Sequence, residues 1–276
     1  MYDLQGKVAL VTGASGKQGL GRAIAVRLAA EGADVVVNDV VADRGSEPSW
    51  RGLPAVVDEI EALSRRALAV VANVAEASQV AYMVRQTLDH FGRIDILVNN
   101  AGAPAGRDRV PVVELEEEAW DLVQRVNVKG TFLCCQAVAR TMIAQGQGGK
   151  IINMSSVSGR RGVARFAAYC ASKFAVRGFT QALAQELAPH RINVNAICPG
   201  LMETERVNDM AAALAPQGME TAEQRRLMIE RAAAATPWGR IGQATDVAQI
   251  AAFLASAESD FLTGQSINVA GGSYMD

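Results

Sequence analysis

A chain of 276 residues, half of them hydrophobic and 5% aromatic, is long enough to bury a large core within one α/β domain. The formal net charge is −2, with acids and bases interspersed, so no basic face or arm points to nucleic acid. No apolar run approaches the ~20 residues of a membrane span and no charged-then-apolar leader precedes the first strand-like run, so the expectation is a soluble, cytoplasmic protein.

In chain order, short apolar runs alternate with longer helical patterns. Residues 7–12 are expected as the first strand, and residues 20–31 as a helix with Ile24 and Leu28 inward and Gly32 as its stop. Further strands are expected at 34–38, 67–72, 95–99, 150–154, 192–197 and 265–269. Helices are expected at about 80–91, 117–145, 169–187 and 245–255. The alternation argues for βαβ units and a parallel sheet, and the Val- and Ile-rich runs suit strands covered on both faces. Two segments read as insertions. Residues 40–54 are polar and carry Trp50; residues 205–235 hold a possible helix cap at Thr221 with Gln224 three on, then a helix-like run through Arg231, and are expected as a substrate loop or lid. No repeat or linker divides the chain.

The four cysteines, Cys134, Cys135, Cys170 and Cys198, include no CxxC and read as buried free thiols. His90 and His190 are the only histidines and lie far from any cysteine pair, so no metal site is expected.

The stretch from Thr12 to Gly21 joins the first strand to the first helix. Its glycines allow a tight turn, and the helix N-terminus offers free N–H groups and a positive dipole end to a pyrophosphate. Asp39 follows at the end of the second strand, where a carboxylate accepts ribose hydroxyls and repels a 2′-phosphate. Lys17 and Arg22 are a mild counter-signal, since a basic group there favours that phosphate. Tyr169 and Lys173 stand at i, i+4, on one helical face. A phenol ordinarily titrates near ~10, and a neighbouring ammonium lowers that value and makes it a usable acid/base.

These features occur together with Asn99-Asn100-Ala101-Gly102, Asn127, the run Ser155-Ser156-Val157-Ser158-Gly159, and Pro199-Gly200. In this order and spacing they resemble the short-chain dehydrogenase/reductase family, in its 3-oxoacyl-reductase-like branch, essentially from end to end. The resemblance implies a single-domain Rossmann-type doubly wound parallel sheet of about seven strands flanked by helices, spanning residues 1–276. It also implies hydride transfer between a nicotinamide cofactor and a secondary alcohol or ketone, with NAD(H) favoured and NADP(H) possible. It implies Tyr169 as general acid/base, Ser156 (13 residues before it, preferred over Ser155) on the substrate oxygen, Lys173 on Tyr169 and the nicotinamide ribose, and mid-helix Asn127 holding a relay water. Cofactor contacts are implied for Gly13, Ser15, Lys17, Gly19, Leu20, Gly21, Asp39, Asn73, Val74, Asn99, Ala101, Gly102, Tyr169, Lys173, Pro199, Gly200, Met202 and Thr204. A homotetramer acting on a small-molecule substrate, with neither nucleic acid nor membrane as partner, is implied as well.

Three departures stand out. Gly13 and Gly19 enclose five residues where the family usually has three, Asn73 stands where an Asp is common, and Ala270 occupies a frequently acidic position. The substrate pocket is expected from residues 103–110, 158–166 and 205–235. Alternative functions are a 3-oxoacyl-thioester reductase, for which Arg160, Arg161 and Arg165 would be a docking patch, a sugar or polyol dehydrogenase, and a non-catalytic dinucleotide sensor. No GxSxG elbow supports a serine hydrolase.

Overall fold

The computed structural model describes residues 2–43, 45 and 49–276. In chain order its elements are β1 (Val8–Thr12), α1 (Leu20–Ala30), β2 (Asp34–Asp39), α2 (Leu53–Glu61), β3 (Ala67–Val71), α3 (Ala77–Phe91), β4 (Ile96–Asn99), α4 (Glu117–Gln124), α5 (Gly130–Gln145), β5 (Gly149–Met154) and α6 (Ala167–Leu187). There follow β6 (Ile192–Pro199), β7 (Met202–Glu203), α7 (Arg206–Leu214), α8 (Thr221–Ala234), β8 (Gly242–Gln243), α9 (Ala244–Ala255) and β9 (Ser266–Val269). Among the described residues, seven strands form one parallel sheet in the order β3-β2-β1-β4-β5-β6-β9. β7 and β8 are a two-residue pair outside it.

Each strand sends alternate residues to opposite faces, so one run of sequence feeds two cores. Ala9 and Val11 of β1 pack with Ile24, Leu28 and Leu53 and with Val247 and Ala251 of α9. Val8 and Leu10 pack instead with Val80 and Met83 of α3 and with Cys134, Val138 and Met142 of α5. Both faces are dry, which is why β1 and β2 are buried at every position. α1 ends where Gly32 turns to φ +106°, a backbone region that L side chains rarely adopt.

The chain runs outward from β1 through β2 to β3, then returns to β4 on the other side of β1. The carboxyl ends of β1 and β4 are therefore the switch point of the sheet, where the flanking loops diverge and leave a crevice.

The structure departs from the sequence expectations in three places. The helix expected at 117–145 is interrupted by a π-helical turn at Arg125–Lys129, so Asn127 sits on this bulge rather than in regular α-helix. Thr221 is the first residue of α8, not its cap; Glu220 stands at the N-cap with no side-chain bond to the helix. The helix-like run within residues 205–235 is α8, and an unexpected second helix, α7, packs on it. The insertion at 40–54 includes residues 44 and 46–48, which lie outside the described residues; α2 begins at its end, with a proline in its first turn. No helix of the described residues is long and apolar enough to cross a membrane, and they contain no cluster of His, Cys, Asp and Glu able to hold a metal ion.

Candidate active site

α6 carries Tyr169 and Lys173 one turn apart on the face turned to the crevice. Lys173 is buried, and its ammonium donates to the Met154 carbonyl at 2.8 Å, at the end of β5, while lying 5.6 Å from the centre of the Tyr169 ring. The two serines after β5 divide their work. The Ser155 hydroxyl donates to the Lys173 carbonyl (2.9 Å), whereas Ser156 lies on the Tyr169 side of the cavity and accepts the Ser158 N–H (3.1 Å) as cap of the 3-10 turn Val157–Gly159. Ser156 is thus the serine that faces the tyrosine.

Burial alone would push the Tyr169 phenol up. The Lys173 ammonium, then Arg206, the Ser156 hydroxyl and Arg109 outweigh it and hold the phenol below its ordinary value. Lys173 is likewise held low, first by burial and also by Arg206, against the pull of Tyr169.

Asn127 on the π-turn bridges two elements. Its Oδ1 accepts the Ala103 N–H (2.9 Å) and its Nδ2 donates to Ser172 Oγ (2.9 Å), which in turn donates to the Tyr169 carbonyl (2.7 Å). Its amide therefore fastens the loop after β4 to α6. π-bulges are rare and cluster at functional sites, where they re-aim backbone groups.

The glycine loop is built around two close approaches. Gly13 has φ +69°, and a Cβ there would stand 2.7 Å from Ala101 Cα; a Cβ on Gly21 would come 2.6 Å from Asn100 Nδ2. Asn100 ties the loop down by donating to the Thr12 and Gly13 carbonyls (2.9 and 2.8 Å), while Thr12 Oγ1 accepts the N–H groups of Asn100 and Ala101 (both 3.1 Å). The two extra residues fit because Ser15 is anchored to Asp39 and because Gly19 N–H closes a turn on the Gly16 carbonyl (3.1 Å). Asp39 is buried; its Oδ2 accepts the N–H and O–H of Ser15 (3.1 and 2.6 Å) and its Oδ1 the Val40 N–H (2.8 Å). Trp50 donates its indole N–H to the Ser15 carbonyl (2.7 Å). Arg22 stacks on Trp50 and makes a two-pronged pair with Glu59 (2.8 and 2.7 Å), so its charge is matched inside the protein.

A cavity of about 430 Å³ runs from this loop to Tyr169 and Lys173. Of the residues singled out in the sequence, its walls include Gly13, Gly19, Leu20, Ala101, Gly102, Asn127, Ser156, Tyr169, Lys173, Pro199, Gly200, Met202 and Thr204. Ser15, Lys17, Gly21, Asp39, Asn73 and Val74 are not part of its walls. Ser15 and Asp39 lie beside it at the β1–β2 end. Asn73, at the end of β3, accepts the Ala75 N–H with its own side chain (3.0 Å). Asn99 departs from expectation: its side chain turns away from the cavity to Asn153 Oδ1 (2.9 Å) and Cys135 Sγ (3.1 Å) within the sheet layer.

Four further residues stand at the site; Arg109, Glu205 and Arg206 fall within the segments expected to form the substrate pocket, but the sequence assigns no role to them or to Asn100. Asn100 holds the glycine loop; only the doubled Asn in the sequence hints at it. Arg109 and Arg206 flank Tyr169 from opposite elements, at 4.7 and 5.3 Å from the ring centre. Glu205, at the start of the α7–α8 pair, accepts the Gln18 N–H (3.1 Å) in the glycine loop. Contacts between residues nearly 190 positions apart leave no local pattern to read.

The crevice also has relatives of similar build. The family model for short chain dehydrogenases matches residues 7–215. A sorbitol dehydrogenase of Cereibacter sphaeroides is 40% identical over 273 residues, covering 99% of both chains. A 3-oxoacyl-(acyl-carrier-protein) reductase of Staphylococcus aureus is 42% identical over 269 residues, covering 98% of each. The solved structure of an NAD⁺-bound xylitol dehydrogenase superposes with a TM-score of 0.85 at 32% identity, over 98% of this chain and 99% of that one.

Proposed function

Because the chain belongs to the short-chain dehydrogenase family, and is an oxidoreductase of the alcohol–ketone type, we propose that it works with NAD(H) on a small secondary alcohol or its ketone, with Tyr169 as general acid/base. The observation that carries this reading is the Tyr169–Lys173–Ser156 arrangement at the end of a glycine-lined cavity. The glycine cradle fits a dinucleotide, since side chains at Gly13 or Gly21 would collide with the loop after β4. When bound, the nicotinamide supplies or accepts the hydride.

The chain's own residues do the rest. In the reductive direction Tyr169 gives its phenolic proton to the carbonyl oxygen, and in the oxidative direction it takes the hydroxyl proton. Ser156 donates a hydrogen bond to the same oxygen and stabilises the charge that develops there. Lys173 holds the phenol in reach of ionisation and presents an ammonium to the ribose. Asn127 keeps Ala103 and α6 in register around them. Asp39 favours NAD(H), because a buried carboxylate at the end of β2 accepts hydroxyls and repels a phosphate; the internal pairing of Arg22 supports the same choice.

A thioester substrate is less well supported. Arg160 is engaged by Asp276 and the Ser266 carbonyl, and Arg161 stacks on Tyr274, so the arginines of that loop are partly committed within the chain. We further read residues 1–276 as one domain with α7–α8 as its lid. The exposed Trp120, Phe132 and Phe174 on α4, α5 and α6 support a homotetramer, and four free buried cysteines support a cytoplasmic setting.

The test is reduced-cofactor absorbance with a panel of polyols, sugars, small ketones and oxoacyl thioesters, with NAD(H) and NADP(H) side by side. Turnover with preference for NAD(H), lost in Tyr169→Phe, supports the reading. Substantial turnover by Tyr169→Phe overturns the assignment of Tyr169.

A further inference from the structure

Two arginines converge on the ring that the reaction uses. Arg109 comes from the loop after β4 and is 1% exposed, with its guanidinium carbon 4.3 Å from the Phe166 ring and 4.7 Å from the Tyr169 ring. Arg206 comes from the first turn of α7, with its guanidinium carbon 5.3 Å from the Tyr169 ring. Both line the same cavity as Ser156 and Lys173.

The charges around Tyr169 do not cancel. Arg109 is paired with Asp108, yet its buried Nε has no hydrogen-bond partner among the described residues. Arg206 has no carboxylate partner among the described residues. The nearest acid in sequence, Glu205, is turned towards the Gln18 N–H instead, and Asp209, one turn further along α7, is exposed. Lys173 adds a third cation. Arg161, Glu205 and Asp209 also line the cavity, but neither of these acids pairs with Arg206, and Asp108 is committed to Arg109. Cations therefore outnumber anions around the Tyr169 ring, and an anion seated among them is favoured. The position of Arg206 is itself unfavourable to α7, because the first turn of a helix prefers acids to bases.

Resting on the oxidoreductase reading above, we propose that Arg109 and Arg206 form the seat of a carboxylate on the substrate, so that the enzyme's own substrate is a small hydroxy acid or oxo acid rather than an uncharged polyol or a thioester. The planar guanidinium suits a carboxylate because it offers two parallel donors. The seat lies beside the tyrosine and not at the glycine loop, so it addresses the substrate and not the pyrophosphate.

The test is calorimetric. Acetoacetate and levulinate, and the methyl ester of each, are titrated into the complex of the enzyme with oxidised NAD, where a ketone binds without turnover. The comparison is repeated in Arg206→Gln and Arg206→Lys, with thermal melts to confirm folding. Arg206 is half-buried at a helix start, so these variants test the seat without hollowing the core. Each acid is expected to bind at least about tenfold tighter than its ester, an advantage reduced about tenfold or more in Arg206→Gln and partly kept in Arg206→Lys. The proposal is overturned if the acids bind no better than the esters, if the advantage survives Arg206→Gln, or if Arg206→Gln weakens only the cofactor. Failure of the oxidoreductase reading would register separately, as absence of turnover of every alcohol and ketone tried, hydroxy and oxo acids included, by the unmodified enzyme.

Discussion

The Lys173 ammonium lies 5.6 Å from the centre of the Tyr169 ring while bonded to the Met154 carbonyl, so a cation is pinned beneath the phenol by the backbone of β5. This fixes the sign of the pH dependence. Burial alone would raise the phenol's pKa, but Lys173, Arg206, Ser156 and Arg109 together leave it below its ordinary value of about 10. Oxidation needs the phenolate, so its kcat/KM is expected to rise with pH through a midpoint below 10. Reduction needs the proton and is expected to fall through the same ionisation. In Lys173→Met the midpoint should move upwards and activity should drop about 10²–10⁴-fold. An unmoved midpoint in that variant would remove Lys173 from the proton chemistry.

A second expectation concerns stability. Asn153 is fully buried in β5, where it accepts from Asn99 Nδ2 (2.9 Å) and donates to Thr180 Oγ1 (3.0 Å), stitching β4 to β5 and β5 to α6. Asn153→Ala leaves the Asn99 amide with only the Cys135 sulfur as a weak partner. The expected cost is about 1–3 kcal/mol, or a fall in Tm of roughly 3–10 °C by circular dichroism. Asn73→Ala, at a half-buried turn, is expected to shift Tm by much less. Equal shifts would mean that the buried amides carry no special weight.

What was legible in the sequence follows physical range. Alternating apolar runs give strands and helices because their periods are local, whereas the order β3-β2-β1-β4-β5-β6-β9 is set by crossovers that no local pattern records. Tyr169 and Lys173 are legible because one helix sets their spacing. The π-turn at Asn127 was not, because it depends on the Ala103 and Ser172 contacts across the fold and not on the residues of the turn. Asn99 misled for a related reason. A strand-end residue alternates between faces, and the cavity takes Asn100 while Asn99 turns into the sheet layer. The Arg109 and Arg206 pair was illegible because a lone arginine in a loop and another at a helix start carry no mutual spacing.

The proposed preference for NAD(H) rests on Asp39. Its two oxygens hold Ser15 and Val40 and so fix a negative charge at the end of β2. Asp39→Ala should lower the ratio of kcat/KM for NAD(H) over NADP(H) by about 10–100-fold, through lost hydroxyl contacts and lost repulsion of the 2′-phosphate. Initial-rate kinetics with both cofactors measure it. A ratio unchanged by the substitution would take selection away from Asp39.

Glu205 gives the last expectation. Its Oε1 accepts the Gln18 N–H at 3.1 Å, just ahead of α1, whose N-terminus is the natural seat of a pyrophosphate. A carboxylate resting there is in electrostatic conflict with the cofactor's phosphates, and one such contact near a protein surface costs about 1 kcal/mol or more. Glu205→Gln keeps the shape and removes the charge. Titration by NADH fluorescence should therefore show a Kd about fivefold lower than that of the unmodified enzyme, with the difference shrinking as salt is added. A weaker Kd in Glu205→Gln would mean that the carboxylate supports the glycine loop and does not compete for it.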